Sequence, residues 1–140
     1  MEENKEKEKP KRPLRVLVVD DQENIIKLLK RILEQVGIKD VLEAYDGATG
    51  IKVFRSHRPD LVITDYLMPE KDGIELLKFV KKIRPKIPVI MFTGFIDKLE
   101  AKLEIEKIKP DFILNKANIK IPLFIDVFQE CFPDRTFIIE

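Results

Sequence analysis

Five short, mostly apolar segments alternate with longer stretches of helical periodicity along this chain. The segments cover residues 16–19, 41–44, 61–64, 89–92 and 112–114, and β-branched or aromatic side chains are frequent in them. Apolar runs of this length indicate strands that are buried on both faces, as in a parallel sheet. Strands that alternate with helices form βαβ units. The sequence therefore predicts an α/β fold, a doubly wound five-stranded parallel sheet with helices on both faces.

Five helices are predicted between and after these strands. Apolar residues recur at helical spacing in residues 24–36, 74–83 and 97–108, and further helices are expected after the turn at Asp46-Gly47, to residue 57, and in residues 122–132. Gly37 suits a helix stop, and Pro122 fits the first turn of the last helix. Together the elements predict one domain in residues 14–132, which agrees with a chain of 140 residues.

The two ends of the chain lie outside this domain plan. Residues 1–13 are almost all charged and contain two prolines, so we expect a disordered tail there. Residues 133–140 are interpreted as a C-terminal extension. The domain plan does not require this extension, although it contains Phe137, Ile138 and Ile139.

Composition excludes several classes of function. Apolar residues make up 44% of the chain and the formal net charge is +1, so we expect a folded domain without direct nucleic-acid binding. Cys131 is the one cysteine, which excludes an internal disulfide and suits a reducing compartment. Apolar runs stay below the length of a membrane span, and the N-terminus is charged. We expect a soluble cytoplasmic protein that does not bind membranes.

Polar side chains follow four of the five predicted strands. Asp20 and Asp21 follow the first strand, Asp65 the third, Thr93 the fourth and Lys116 the fifth. In an open parallel sheet, ligands bind beyond the carboxyl ends of the strands. We therefore expect these side chains to lie together at one edge of the sheet.

These residue types suit phosphoryl transfer. Three carboxylates at close range repel one another and require a cation, and oxygen ligands without histidine or cysteine favour Mg²⁺. A carboxylate such as Asp65 can act as the nucleophile and form an aspartyl phosphate. The transferred group spreads negative charge over its oxygens, which Lys116 and Thr93 can contact.

The motifs, taken in order, resemble those of the response-regulator receiver family. The resemblance runs from about residue 14 to residue 132. In chain order the matching pieces are the pair Asp20-Asp21 after an apolar run, the stretch from Pro59 through Asp65 to Pro69 with Asp72-Gly73 after it, the stretch from Pro88 through Thr93 to Gly94, and Lys116.

The resemblance implies a fold and a ligand set. The fold would be flavodoxin-like, with five strands in the order 2-1-3-4-5. Asp65 would accept a phosphoryl group from a phosphohistidine on a histidine kinase or phosphotransfer protein. The Mg²⁺ ligands would be Asp20, Asp21, Asp65 and the backbone carbonyl of Leu67.

The resemblance also implies how the domain signals. Lys116 would contact the phosphoryl group, and Thr93 would move toward it. A downstream protein would read the change from the face formed by the fourth helix, the fifth strand and the fifth helix. Such a domain is a phosphoryl acceptor in a phosphorelay rather than a turnover enzyme.

Two departures from the family pattern concern the residues that respond to phosphorylation. Lys116 is usually followed by proline, often through a cis bond, but Ala117 stands here, and a cis bond before a residue other than proline costs about 2.5–4 kcal/mol. The loop is therefore expected to differ in shape. The family commonly has tyrosine or phenylalanine three residues before the lysine. Ile113 occupies that position, beside Phe112, so an aromatic relay is not expected.

A third departure concerns the lifetime of the phosphoryl group. The positions two residues after the acceptor and two after the threonine influence hydrolysis in this family, and they hold Leu67 and Phe95. Apolar side chains do not orient water. We therefore expect a comparatively long-lived phosphoryl state.

Two alternative functions remain open from the sequence. One is a receiver-like docking module that works without phosphorylation, which the changes at Ala117 and Ile113 permit. The other is a Mg²⁺-dependent aspartyl phosphohydrolase. Hydrolases of that type place a second aspartate two residues after the nucleophile, where this chain has Leu67.

Overall fold

The computed structural model describes residues 12–140, and the predicted disordered tail lies almost entirely outside the described residues. Ten elements alternate along the described chain. The strands are β1 (Arg15–Val19), β2 (Asp40–Ala44), β3 (Leu61–Thr64), β4 (Val89–Thr93) and β5 (Phe112–Asn115). The helices are α1 (Glu23–Gln35), α2 (Gly47–His57), α3 (Gly73–Ile83), α4 (Ile96–Glu106) and α5 (Ile121–Cys131).

The strands form one parallel sheet in the order β2-β1-β3-β4-β5. This confirms the predicted fold class, strand order and number of helices. Chain connectivity reverses direction between β1 and β3, so the loops after these two strands meet at the carboxyl edge. That junction is where ligands of such sheets bind.

Alternate side chains of each strand supply the two faces of the sheet with apolar groups. Val16 and Val18 belong to one core cluster, which also contains the buried faces of α1 and α5. Leu17 and Val19 belong to the second, which contains those of α2, α3 and α4. Because both faces are covered, the internal strands β1, β3 and β4 are almost fully buried and read as continuous apolar runs, whereas the edge strands β2 and β5 are mostly half-buried.

Local capping fixes where several helices begin and end. The side chain of Asp46 accepts a hydrogen bond from the backbone N–H of Thr49 at 2.7 Å, and Asp72 accepts one from Glu75 at 2.9 Å. At the other end of α2, Arg58 has a left-handed backbone conformation. The predicted boundaries of the elements differ from the observed ones by at most two residues, and those of α2 and β3 agree fully.

The chain before β1 is attached to the domain. The guanidinium of Arg12 pairs with Asp60, with 2.8 Å between Arg12 Nη1 and Asp60 Oδ2. Asp60 also accepts a hydrogen bond from the backbone N–H of Arg15 at 2.8 Å. Burial alone would raise the pKa of Asp60, but these partners outweigh burial and lower it. The carboxylate therefore joins the start of β1 to the start of β3.

The C-terminal residues differ from the sequence-based expectation. The ring of Phe137 is buried and packs against Phe128 and Phe132, with ring centroids 5.9 and 6.3 Å apart. The backbone N–H of Glu140 donates to the carbonyl of Gln35 at 2.7 Å. Residues 133–140 therefore pack on the core cluster of α1 and α5, and Phe137 is part of it, because an aromatic ring of this size gains free energy by leaving water.

Cys131 ends α5 and is half-buried against the same cluster. Burial, followed by the nearby charges of Asp111 and Glu130, raises the pKa of the Cys131 thiol to about 11. Only the thiolate is nucleophilic, so we expect iodoacetamide at pH 8 to alkylate the folded protein at least about tenfold more slowly than the urea-unfolded protein. The alkylation rate of the folded protein should rise steeply up to pH 11. Equal rates in the two states at pH 8, measured by intact mass, would contradict this prediction.

Among residues 12–140, no helix is long and apolar enough to span a membrane.

Candidate phosphoryl-accepting site

Backbone hydrogen bonds of the sheet bring the predicted polar residues to one edge. The N–H of Asp20 donates to the carbonyl of Ala44 at 3.1 Å, and the N–H of Asp65 donates to that of Val19 at 2.9 Å. At the same edge, between β4 and β5, the N–H of Lys116 donates to the carbonyl of Thr93 at 3.0 Å. Parallel pairing thus continues one residue beyond the strands. It sets these side chains side by side at the carboxyl edge.

Three carboxylates converge at this edge. One oxygen from each of Asp20, Asp21 and Asp65 lies within 4.8 Å of the others. Asp20 and Asp65 are buried, whereas Asp21 is exposed. Like charges this close repel one another, and burial makes the repulsion stronger. The cluster therefore requires positive charge.

Lys116 supplies part of that charge. Its Nζ lies 2.7 Å from Asp20 Oδ2 and 2.7 Å from Asp65 Oδ2. Burial lowers the pKa of Lys116, but the two carboxylates outweigh burial and raise it above its ordinary value. Burial also raises the pKa of Asp20, and the neighbouring ammonium only partly offsets this. At neutral pH the lysine is charged and bridges the two buried acids.

The carboxylates fit a hard divalent ion. Asp20 Oδ1 accepts a hydrogen bond from the backbone N–H of Gln22 at 2.9 Å. Asp20 Oδ2 is buried and faces the Lys116 ammonium at 2.7 Å, with no further partner among the described residues. A buried carboxylate oxygen in this condition is suited to a metal ligand. The donor set consists of oxygen atoms, which matches Mg²⁺ better than a softer metal.

Asp65 is held from both sides. Its Oδ1 accepts a hydrogen bond from the backbone N–H of Tyr66 at 2.7 Å, while Lys116 contacts its Oδ2. Gly73 begins α3 against the same residue, and a Cβ on Gly73 would lie 2.0 Å from the carbonyl oxygen of Asp65. The N–H of Gly73 donates to the carbonyl of Tyr66 at 2.7 Å. Close approach of α3 therefore fixes the loop that carries Asp65, and only glycine leaves room for it.

Thr93 ends β4 and is fully buried. Its Oγ1 accepts a hydrogen bond from the backbone N–H of Phe95 at 3.2 Å. The hydroxyl hydrogen remains available to donate to another oxygen. Phe95 itself has 53% of its surface exposed, and Leu67 is half-buried.

The loop after Lys116 differs from the usual proline-containing one. The Lys116–Ala117 bond is trans. The side chain of Asn115 accepts a hydrogen bond from the N–H of Ala117 at 2.9 Å, and its carbonyl accepts one from Asn118 at 3.0 Å. Two hydrogen bonds from one asparagine therefore stabilise the turn. They provide a shape that does not depend on proline.

Two contacts at the site were not predicted from the sequence. The side-chain oxygen of Gln22 lies 3.4 Å from Lys116 Nζ, so this residue helps to orient the lysine. The other is the backbone N–H of Tyr66. Gln22 could have been predicted as a site residue, because it is polar and directly follows the pair Asp20-Asp21. A backbone donor leaves no trace in residue type, and no sequence signal marks Tyr66 for this contact.

Comparison with known proteins decides the family. Residues 16–120 match the sequence profile of the response regulator receiver domain. This chain is a member of the response-regulator receiver family. The match covers both acid-bearing strands and extends past Lys116, which confirms the resemblance read from the motifs.

Individual relatives in the receiver family agree with this assignment. The chain is 36% identical over 113 residues to the chemotaxis protein CheY of Bacillus subtilis, covering 74% of this chain and 94% of CheY. It is 34% identical over 99 residues to the alkaline phosphatase synthesis transcriptional regulatory protein PhoP of the same organism. That match covers 71% of this chain but only 41% of PhoP, so the chain spans less than half of that relative.

Solved receiver structures share the fold. The Francisella response regulator 1452 receiver domain is 31% identical with a TM-score of 0.73, covering 86% of this chain and 98% of that one. A CheY-like response regulator receiver domain protein from Methanospirillum hungatei JF-1 is 25% identical with a TM-score of 0.77. That similarity covers 88% of this chain and 96% of the other. The receiver domain therefore accounts for most of the chain.

Proposed function

We propose that this receiver accepts a phosphoryl group on Asp65 and passes the signal to a protein partner by a change of conformation. The observation that carries the proposal is the contact of Lys116 Nζ with both Asp65 and Asp20, each at 2.7 Å. An ammonium beside a nucleophilic carboxylate is placed to contact an oxygen of the incoming group.

The reaction follows from the chemistry of the acceptor. A carboxylate oxygen of Asp65 attacks the phosphorus of a phosphohistidine, and the bond between phosphorus and the imidazole nitrogen breaks. The electron pair stays on the imidazole, which takes up a proton. Lys116 stabilises one oxygen of the transferred group, and the hydroxyl of Thr93 donates to another after a local movement.

We further propose that Asp20, Asp21, Asp65 and the backbone carbonyl of Leu67 hold Mg²⁺. When bound, the ion neutralises charge on the carboxylates and on an oxygen of the phosphoryl group. The buried oxygen of Asp20, which has only the Lys116 ammonium as a partner among the described residues, supports this assignment. Because Asp21 is exposed, an ion held there would have water within reach, as suits Mg²⁺, which usually retains some of its waters.

The proposed partners follow from the family. Receiver domains take phosphoryl groups from histidine kinases and act on downstream targets. We propose a histidine kinase or phosphotransfer protein as donor, a downstream protein as target, and the cytoplasm as location. Neither nucleic acid nor a membrane is required for the function that we propose.

Incubation of the whole chain with acetyl phosphate tests the proposal. We expect intact mass to show a gain of one phosphoryl group in the presence of Mg²⁺ and none in the presence of EDTA. A folded protein that gains no phosphoryl group under either condition would favour the docking module instead. Continuous release of phosphate from a generic phosphate ester would favour the phosphohydrolase.

The lifetime of the phosphoryl group gives a separate prediction. Leu67 and Phe95 offer no hydrogen bond to an attacking water, so we expect hydrolysis on a timescale much longer than seconds. Leu67→Asn adds a group that can orient water, and one net hydrogen bond contributes about 1 kcal/mol, or roughly a fivefold faster loss of the phosphoryl group. The decay of the phosphorylated mass after removal of the donor measures both rates.

Ile83→Asn is a matched control for this comparison. Ile83 ends α3 and 52% of its surface is exposed, so the substitution adds the same amide at a place away from the carboxyl edge. We expect no change in the decay rate. Hydrolysis of the unaltered protein within seconds would contradict the prediction.

A further inference from the structure

A polar cleft of about 700 Å³ lies at the opposite edge of the sheet from Asp65. It is formed where β1 and β2 begin and where α2 and α3 end. Basic side chains dominate its lining, which consists of Arg12, Pro13, Arg15, Asp40, Ser56, His57, Arg58 and Arg84. Nothing in the proposed phosphoryl chemistry uses these residues.

Two of the four arginines in this cleft are neutralised by carboxylates. Arg15 Nε donates to Asp40 Oδ2 at 2.9 Å, and Arg12 pairs with Asp60. Arg15 also donates from Nη1 to the carbonyl of His57 at 2.9 Å, which caps the end of α2. Asp40, the acid that lines the cleft, is thus paired with Arg15.

The other two arginines, Arg58 and Arg84, form no ion pair with the described residues. Arg84 donates from one nitrogen, Nη2, to the carbonyl of Phe54 at 3.2 Å and lies over the Phe54 ring at 4.6 Å. Burial, followed by the charge of Arg58, lowers the pKa of Arg84, and the carboxylate of Asp60 offsets this only in part. Two guanidiniums thus line one cleft and repel each other, with most of their donors unused.

Repulsion between two such groups is relieved by an anion placed between them. Guanidinium groups bind phosphate oxygens in pairs and with defined geometry. The volume of the cleft lies in the range that accommodates small ligands. We propose that this cleft binds a small phosphate-bearing ligand, held between Arg58 and Arg84. The domain then has a second binding site, separate from the acceptor carboxylate.

Inorganic pyrophosphate is a suitable probe, because it carries the proposed chemistry without other groups. The titration uses the Asp65→Asn chain in EDTA, so that neither phosphorylation nor a metal at the carboxyl edge contributes. We expect saturable binding by calorimetry, with a dissociation constant on the order of a millimolar or tighter. Amide shifts in a ¹H–¹⁵N spectrum should centre on the ends of α2 and α3.

Arg58→Gln should weaken pyrophosphate binding by about tenfold, because one charge-assisted pair of donors is lost. Arg55→Gln is the matched control, since Arg55 lies in the last turn of α2, just before Arg58, is exposed and does not line the cleft. Residue 58 has a left-handed backbone conformation, and the strain of that conformation is the same for glutamine as for arginine. We expect the control to bind within about twofold of the unaltered site.

Three outcomes would overturn the proposal. They are absence of binding at tens of millimolar, equal weakening by the two substitutions, and shifts centred on the carboxyl edge. Binding of anionic lipid vesicles or RNA in place of pyrophosphate would assign the arginines to a macromolecular surface and would also overturn it. Because acetyl phosphate labelling is measured separately, failure here leaves the proposed phosphoryl function intact.

Discussion

Asp65→Asn is expected to abolish the Mg²⁺-dependent gain of a phosphoryl group. The amide keeps the shape of the carboxyl group and can still accept the hydrogen bond from Tyr66. It lacks the negative charge that makes the oxygen a nucleophile and that attracts a divalent ion. The fold should be retained, because removing one of three neighbouring carboxylates also removes repulsion. Intact mass after incubation with acetyl phosphate measures the loss.

Asp126→Asn is the matched control for this substitution. Asp126 is exposed on α5, outside the carboxyl edge, and the same loss of one carboxylate occurs there. We expect labelling equal to that of the unaltered chain. Persistent labelling of the Asp65→Asn chain, with the label mapped by peptide mass to Asp20 or Asp21, would transfer the acceptor role to β1. Thermal unfolding of both variants verifies that they are folded.

Phe137→Ala is expected to destabilise the domain by about 3–5 kcal/mol, as large-to-small changes of buried phenylalanines do. The ring has only 7% of its surface exposed and contacts two phenylalanines of α5 and the chain after it. Its removal leaves a cavity that the rigid helix cannot close. Because small domains are stable by about 5–15 kcal/mol, this is a large part of the total. Urea unfolding followed by circular dichroism measures it, since the chain has no tryptophan.

Ile138→Ala tests whether the loss of stability expected for Phe137→Ala comes from the burial of its side chain. Ile138 is the next residue, and 65% of its surface is exposed. We expect its effect on the free energy of unfolding to stay within about 0.5 kcal/mol. Similar losses for the two variants would show that the segment contributes through its backbone. No loss for Phe137→Ala would show that residues 133–140 are not part of the stable domain.

The sequence predicted the fold because periodicity and residue type agreed along the whole domain. Val16 to Val19 form an unbroken apolar run, as is typical of a strand covered on both faces, and the same holds for Leu61 to Ile63. The polar residues that follow these strands then had one possible meeting place, the carboxyl edge. Asp20, Asp65 and Lys116 were expected together for this reason, and the structure brings them together.

Features that depend on distant contacts were not predictable in the same way. Phe137 stands in a short segment without periodicity, and only the groove left by α1 and α5 explains its burial. The arginines of the cleft are separated by up to 72 positions, between Arg12 and Arg84, and none stands in a motif. Their juxtaposition follows from helix lengths and crossover geometry, which single residues do not encode.

The position of Lys116 in the sheet has a consequence for how the domain responds. Within the described sheet, β1, β3 and β4 each have two neighbours, whereas β5 is an edge strand bonded only to β4. The acids and the threonine are therefore carried by internal strands, and the ammonium is carried by a peripheral one. A peripheral strand can shift without breaking pairing on a second side. Lys116, which bridges the two buried acids, can therefore move away from them more easily than the other site residues can when another cation competes for the carboxylates.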